Sequence, residues 1–146
     1  MEKVNCIDCK NINCYFKFSF NRDEGKVKKI HTQCGQPIYL ENMPVNGLYV
    51  VQRGCINEHY INNKDEKEIC HIAKDGDVFG HKDFNATKHL FSAVAVENSS
   101  ICLIDKSTLL EVCKSKPELS LKLINFFVGE LNKVDNRYKT YDIKNG

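Results

Sequence analysis

The sequence lacks both a long apolar run and a strong excess of charge of either sign. Its 146 residues include 21 Lys and Arg against 19 Asp and Glu, a formal net charge of +2, which argues against a surface built to bind nucleic acid. No apolar stretch follows a basic start, so we expect no signal peptide. No run is long enough to cross a bilayer. These absences predict a cytoplasmic protein that does not contact a membrane.

Cysteine, by contrast, is abundant, with eight residues in the chain. In a reducing cytoplasm, cysteines serve metal binding, redox sensing or ordinary packing more often than disulfide formation. Cys6, Cys9 and Cys14 form a C-x2-C-x4-C cluster, which can hold a metal ion or an iron–sulfur centre but supplies three of the usual four ligands. Four others have no partner at ligand spacing, and we expect them to act as small core residues: Cys34, Cys55, Cys70 and Cys113.

Short apolar runs alternate with turn residues from about Thr32 to Asp105, a pattern typical of an all-β sandwich or barrel. The predicted strands are Ile38–Leu40, Leu48–Val51, Ile56–Ile61, Glu68–Ile72, Val78–Gly80, Phe91–Val96 and Ile101–Ile104. We therefore divide the chain into an N-terminal cysteine-containing segment (1–30), a β-roll (31–105) and a helical region (106–146).

The helical region begins with a short helix over Lys106–Lys114, for which Ser107 is the expected N-cap. Pro117 then opens a longer helix at its favoured first-turn position. Apolar residues recur along it at helical spacing and include Leu119, Leu123, Phe127, Leu131 and Val134. Such a stripe either packs on the sheet of its own chain or pairs with a second copy.

The order and spacing of several segments resemble the sensor half of the Crp/Fnr transcription regulators. The segments are Cys34–Tyr39, Leu48–Gly54, Gly76–Gly80, and Ser92–Glu97 followed by Ile101–Ile104. One glycine that is usual in that family is Asn42 here, and Asn tolerates the left-handed conformation. The match covers nearly the whole chain.

This resemblance implies a mainly β fold with helices: a double-stranded β-helix (a jelly-roll of the cyclic-nucleotide-binding kind) plus a long C-terminal dimerisation helix. It implies a homodimer that contacts DNA only through a helix-turn-helix domain, which this chain does not contain. It also implies a regulator and not an enzyme. Jelly-roll oxygenases need two His and one carboxylate, and no such set falls on suitable strands here.

Family members that bind cyclic nucleotides hold the phosphate with an Arg and the ribose with a Glu. The matching positions here are Leu90 and His81, and an Arg fork is what pairs two phosphate oxygens at once. The expected ligand pocket is formed by Gly80, His81, Leu90, Phe91 and Ser92. These residues argue against a cyclic nucleotide as the ligand.

The Fnr-like branch instead carries an N-terminal cysteine cluster and one roll cysteine that together bind an oxygen-labile [4Fe-4S] cluster. Cys6, Cys9 and Cys14 match the N-terminal group, and Cys102 falls on the roll cysteine. The spacing between the second and third cysteines is one residue shorter than in that branch. Zinc, a redox thiol switch or no cofactor remain alternatives, as does a stand-alone small-molecule-binding or interaction module.

Overall fold

The computed structural model describes residues 2, 3, 14, 16 and 27–145, with the backbone alone for residues 2, 3, 137, 138 and 140–145. The strands in this part of the chain are β1 (Glu2–Lys3), β2 (Val27–Thr32), β3 (Pro37–Tyr39), β4 (Gly47–Arg53), β5 (Cys55–Ile61), β6 (Lys67–Lys74), β7 (Val78–Phe79), β8 (Ser92–Ala95) and β9 (Ser99–Asp105). The helices are α1 (Lys106–Ser115) and α2 (Pro117–Asn145). The chain separates into two compact units, Met1–Leu110 and Glu111–Gly146.

The strands form two antiparallel sheets, with the orders β1-β2-β9-β4-β7 and β3-β8-β5-β6. β9 lies at the centre of the first sheet because it pairs with β2 on one side and with β4 on the other. In the second sheet β5 lies between β6 and β8. Neighbours in the sheets are thus often distant in sequence, which is the topology expected of a jelly-roll.

The hydrophobic core lies between the two sheets, since both contribute side chains to one cluster of buried residues. The cluster comprises Tyr39, Tyr49, Val51, Ile56, Ala73, Phe79, Ala93, Ala95, Ile101 and Leu103. Along β9 only Ile101 and Leu103 belong to it. Because successive strand residues point to opposite faces, Ser100, Cys102 and Ile104 lie on the outer face of the first sheet.

The jelly-roll prediction is confirmed, and each predicted strand is present with its ends shifted by a few residues. β2 was not predicted, because its sequence Val-Lys-Lys-Ile-His-Thr is too polar to stand out as an apolar run. It nevertheless forms a complete ladder with β9, from Val27 opposite Ile104 to Thr32 opposite Ser99. Pairing with an apolar neighbour here outweighs the strand's own composition.

The N-cap of α1 lies two residues earlier than the sequence suggested. The carboxylate of Asp105 accepts hydrogen bonds from the N–H of Ser107 at 2.9 Å and from its hydroxyl at 2.6 Å. Asp105 is therefore the N-cap, and Ser107 lies within the first turn. The prediction of Ser107 as N-cap was wrong because a carboxylate two residues earlier competes for the same backbone N–H groups.

The long helix α2 exposes much of its apolar surface. Leu119 and Leu123 are buried, whereas Leu131 is 64% and Val134 38% exposed; Phe127 is half-buried. Four exposed side chains follow a spacing of three and four residues: Leu121, Ile124, Val128 and Leu131. This is the a/d repeat of a coiled-coil seam. Among the described residues, no helix is long and apolar enough to span a membrane.

Two turns of the roll contain a residue with a positive φ angle. Asn42, which stands where the resembling family has Gly, has φ of 73°, as its tolerance of this region allows. Gly54, between β4 and β5, has φ of 119°. An added Cβ there would overlap Ser99. Ser99 cannot easily move, because its hydroxyl accepts the N–H of Cys55 at 3.1 Å and donates to the carbonyl of Glu97 at 2.8 Å.

We expect Gly54→Ala to destabilise the fold by about 2–5 kcal/mol, since it combines backbone strain with overpacking. Gly35→Ala is the matched control: Gly35 has φ of 87°, and no atom lies within 4 Å of an added Cβ. Gly35→Ala should lose only the stability that corresponds to backbone strain, about 1–2 kcal/mol. Urea unfolding of both variants measures the difference, and equal losses would contradict the role given to Ser99.

Candidate functional site

A chain of buried polar side chains crosses the interior of the roll. The Nδ1 atom of His89 lies 3.0 Å from Oδ2 of Asp83, and both side chains are completely buried. The His89 ring stacks on Tyr39 with ring centroids 3.6 Å apart. The Tyr39 hydroxyl in turn donates to Oε2 of Glu58 at 3.1 Å. Buried groups of this kind need partners to offset the loss of water.

Burial controls the protonation of this chain of groups. It raises the pKa of Tyr39 far above its usual range, and the nearby carboxylates of Glu58 and Asp83 add to the effect. Tyr39 therefore remains a hydrogen-bond donor. Burial also raises the pKa of Glu58, against the opposing effects of Lys82 and of the Tyr39 hydroxyl. Burial likewise raises the pKa of Tyr49 to about 12.

The five residues of the predicted ligand pocket have very different surroundings. Gly80 follows β7 with φ of 78°, and His81 is buried, edge-on to His71. The ring of Phe91 lies edge-on to Tyr60 with centroids 6.2 Å apart. Ser92 is buried, and its hydroxyl accepts the N–H of Glu41 at 3.0 Å. Leu90 differs from the others because 61% of its surface is exposed.

The backbone at Leu90 already binds a carboxylate. Its N–H donates to Oδ2 of Asp83 at 2.9 Å, the same oxygen that faces His89. A phosphate approaching this N–H would meet the negative charge of Asp83, and like charges at such a distance repel. A ligand that uses the N–H of Leu90 would therefore have to displace the Asp83 carboxylate.

The cysteines of the predicted cluster are only partly within the described residues. Cys6 and Cys9 lie outside them, whereas Cys14 and Cys102 are both partly buried and neither forms a disulfide. Cys102 lies on the outer face of β9, opposite Lys29 of β2 and Val50 of β4. Within the described part of the chain, no three His, Cys, Asp or Glu side chains are arranged to hold a metal ion.

The N-terminus approaches Cys102 through the sheet. β1 pairs with β2 so that Glu2 is opposite Lys29, and Lys29 is opposite Cys102. Glu2 is therefore two strand spacings from Cys102, or about 10 Å. Cys6 is four residues from Glu2, and four extended residues span at most about 14 Å. A thiolate from the N-terminal group is thus within chain reach of Cys102, which fits a shared cluster.

Sequence reasoning missed the buried network, although one signal for it was present. Glu58 is two residues from Ile56 in a predicted strand, so both had to share a face. Ile56 is in the core, which makes Glu58 a buried carboxylate in need of a partner. The pairing of Asp83 with His89 had no comparable signal, because both lie in a turn-rich segment without periodicity.

Comparison with known proteins agrees with this fold. Residues 29–116 match the family model described as the cyclic nucleotide-binding domain, and the chain belongs to that family. Its relatives are regulators of the Crp/Fnr type. Electron transport regulator A of Shewanella oneidensis is 25% identical over 134 residues, which cover 88% of this chain and 54% of that protein. The fumarate and nitrate reduction regulatory protein of Escherichia coli (strain K12) is 24% identical over 134 residues, which cover 88% of this chain and 54% of that protein.

A solved structure shows the same fold. The catabolite activator protein of Thermus thermophilus superposes with a TM-score of 0.71 at 18% identity, covering 80% of this chain and 55% of that chain. The present chain therefore spans about half the length of the curated relatives it matches. Both of those relatives are regulators by name, in agreement with the predicted class of protein.

We expect His89→Phe to destabilise the fold by about 2–3 kcal/mol, because it removes the imidazole partner of the buried Asp83 carboxylate while keeping a ring against Tyr39. The control is Lys133→Gln, which breaks an exposed pair with Glu130 at 3.1 Å. That change should cost at most about 1 kcal/mol. Chemical denaturation gives both values, and a small loss in His89→Phe would show that Asp83 does not depend on His89.

Proposed function

We propose that this chain is the sensor and dimerisation domain of a Crp/Fnr-type transcription regulator that responds to oxygen or redox state in the cytoplasm. Cys6, Cys9, Cys14 and Cys102 would hold a [4Fe-4S] cluster. Four thiolates are the usual ligand set for such a cluster. The observation that supports the proposal is the row Glu2–Lys29–Cys102 across three strands, in which Glu2 is two strand spacings from Cys102.

In the proposed regulator, the short strand β1 is the segment that the cluster would hold or release. β1 has two residues at the edge of its sheet, and so short a pairing contributes little stability of its own. Ligation of Cys6 and Cys102 to one centre would hold β1 in place. An oxygen-labile cluster supplies the chemistry that removes this restraint, and order-to-disorder changes of a segment are an established way of switching a regulator.

Two features of the roll favour a regulator that responds to a signal other than a cyclic nucleotide. Asp83 supplies a negative charge at the N–H of Leu90, and no Arg stands at the position where the resembling family holds phosphate. In the proposed regulator, DNA contact belongs to a helix-turn-helix domain outside this chain.

Anaerobic reconstitution with iron and sulfide should give a coloured protein with about four irons per chain. Cys102→Ser should abolish the visible absorption, because it removes the roll ligand. Cys55→Ser is the matched control, since Cys55 is also a partly buried strand cysteine but lies outside the proposed ligand set, and it should retain the colour.

A colourless, iron-free wild-type protein would refute the cluster. Tight binding of about one zinc per chain, lost in Cys102→Ser, would indicate the zinc alternative. Binding of neither metal would favour a cofactor-free module, for which a thermal-shift screen with small metabolites is the direct test.

The exposed seam of α2 supports pairing with a second copy. Leu121, Ile124, Val128 and Leu131 are each between 48% and 64% exposed, whereas the predicted seam residues Leu119 and Leu123 are buried. Of the predicted dimer positions, Leu131 belongs to the exposed heptad repeat. A parallel or antiparallel coiled coil would remove this repeat from water.

We expect Leu131→Glu to weaken the dimer by about tenfold or more, because it places a charge in an apolar seam. Asn132→Glu changes the charge equally at the next residue, which is also exposed, and should alter dimerisation by about threefold at most, since flanking positions of a seam accept glutamate. Sedimentation equilibrium measures both. A monomeric wild-type protein, or equal effects of the two changes, would contradict the proposed seam.

A further inference from the structure

A second, polar cavity lies in the roll, with no residue in common with the predicted ligand pocket. It has a volume of about 430 Å³ and is lined by the ends of β2, β4 and the start of β9, with His31, Gln36, Arg53, Asn98 and Ser100 among its walls. None of its lining residues is a carboxylate. Ser100 lies opposite both His31 and Arg53 in the sheet, so these three residues come from adjacent strands at one level.

Two amide side chains in the walls use their oxygens as hydrogen-bond acceptors within the chain. The amide oxygen of Asn98 accepts the N–H of Cys34 at 2.9 Å, and that of Gln36 accepts the N–H of Gln33 at 2.9 Å. Because these bonds fix which end of each amide is the oxygen, the NH2 groups remain available. The hydroxyl of Ser100 lies 3.2 Å from Nδ1 of His31.

Arg53 is available to a ligand as well. The nearby Asp75 directs Oδ1 to the N–H of Gly54 at 2.8 Å, and in the described part of the chain no carboxylate forms an ion pair with Arg53. The side chain is exposed. Among the described residues, this guanidinium thus has no carboxylate partner, and the cavity that it lines has amide donors and no acidic side chain. Such a site is suited to an oxyanion, which Arg binds through two parallel hydrogen bonds.

We propose that this cavity binds a phosphate group through Arg53, the amide of Asn98 and the Ser100–His31 pair. The cavity has room for more than a free phosphate ion, so the group belongs either to inorganic phosphate or to a small phosphorylated metabolite. The proposal does not depend on the cysteine cluster, and its test is carried out on the full chain without iron.

The test is an NMR titration of the labelled protein with inorganic phosphate and, separately, with ribose 5-phosphate, against chloride at equal ionic strength. Saturable shifts at the amides of Asn98 and Ser100 are expected with one or both phosphates. Tighter binding of the sugar phosphate would identify a metabolite as the ligand, and equal binding would identify the phosphate group alone. Neutral ribose should give no shifts.

Arg53→Gln should weaken phosphate binding by about tenfold or more, because it removes a charge-assisted donor. Lys64→Gln is the control: it removes the same charge at the exposed tip between β5 and β6. Asn98→Asp keeps the acceptor for Cys34 but replaces the free NH2 with a carboxylate oxygen, and should abolish binding. Absence of saturable shifts in the wild type, or equal affinity in Arg53→Gln and Lys64→Gln, would overturn the proposal.

Discussion

The buried contact between Asp83 and His89 is the constraint around which the interior of the roll is arranged. Both side chains are completely buried, with Oδ2 of Asp83 3.0 Å from Nδ1 of His89, and burial of polar groups without hydrogen-bond partners is costly. The compensation comes from the N–H of Leu90 on one side and from the ring of Tyr39 on the other. Tyr39 also belongs to the apolar cluster and binds Glu58, so it joins the polar chain to the hydrophobic core.

This arrangement bears on the proposal that the roll does not respond to a cyclic nucleotide. A cyclic phosphate needs positive charge and open N–H groups, whereas here a carboxylate already occupies the N–H of Leu90. The chain thus belongs to the cyclic nucleotide-binding domain family, and in its structure the N–H of Leu90 is bound by a carboxylate of the same chain. A fold can host different functions when its site residues differ, which is why the cysteines rather than the pocket carry the proposed sensing function.

Local sequence patterns sufficed for most of the fold. Apolar runs such as Leu48–Val51 identified strands because burial of one face imposes the pattern, and Asn42 indicated a left-handed turn that the structure contains. β2 escaped detection because it gains its stability from β9 rather than from its own composition. The cap at Asp105 was missed because Ser107 has the same capping chemistry, and only the actual hydrogen bonds distinguish them.

The site was less predictable than the fold, because its contacts join residues far apart in sequence. Glu58 meets Tyr39, and Ser100 meets His31 across 69 positions of the chain. Cys102 was proposed as a cluster ligand only because of the resemblance to a family. A cysteine among Ile and Leu in a strand is ordinarily a core residue. Its position on the outer face follows from the alternation along β9 and could be assigned once Ile101 and Leu103 were known to be buried.

The same alternation divides β9 between two roles. Positions 101 and 103 maintain the core, so substitutions there would create cavities or overpacking. Positions 100 and 102 face away from that core: Ser100 lines the cavity for which phosphate binding is proposed, and Cys102 belongs to the proposed cluster. In both proposals, the side chain that would bind the ligand therefore comes from a β9 position that does not belong to the central apolar cluster. One strand thus serves the scaffold with one set of alternate positions and the proposed ligands with the other.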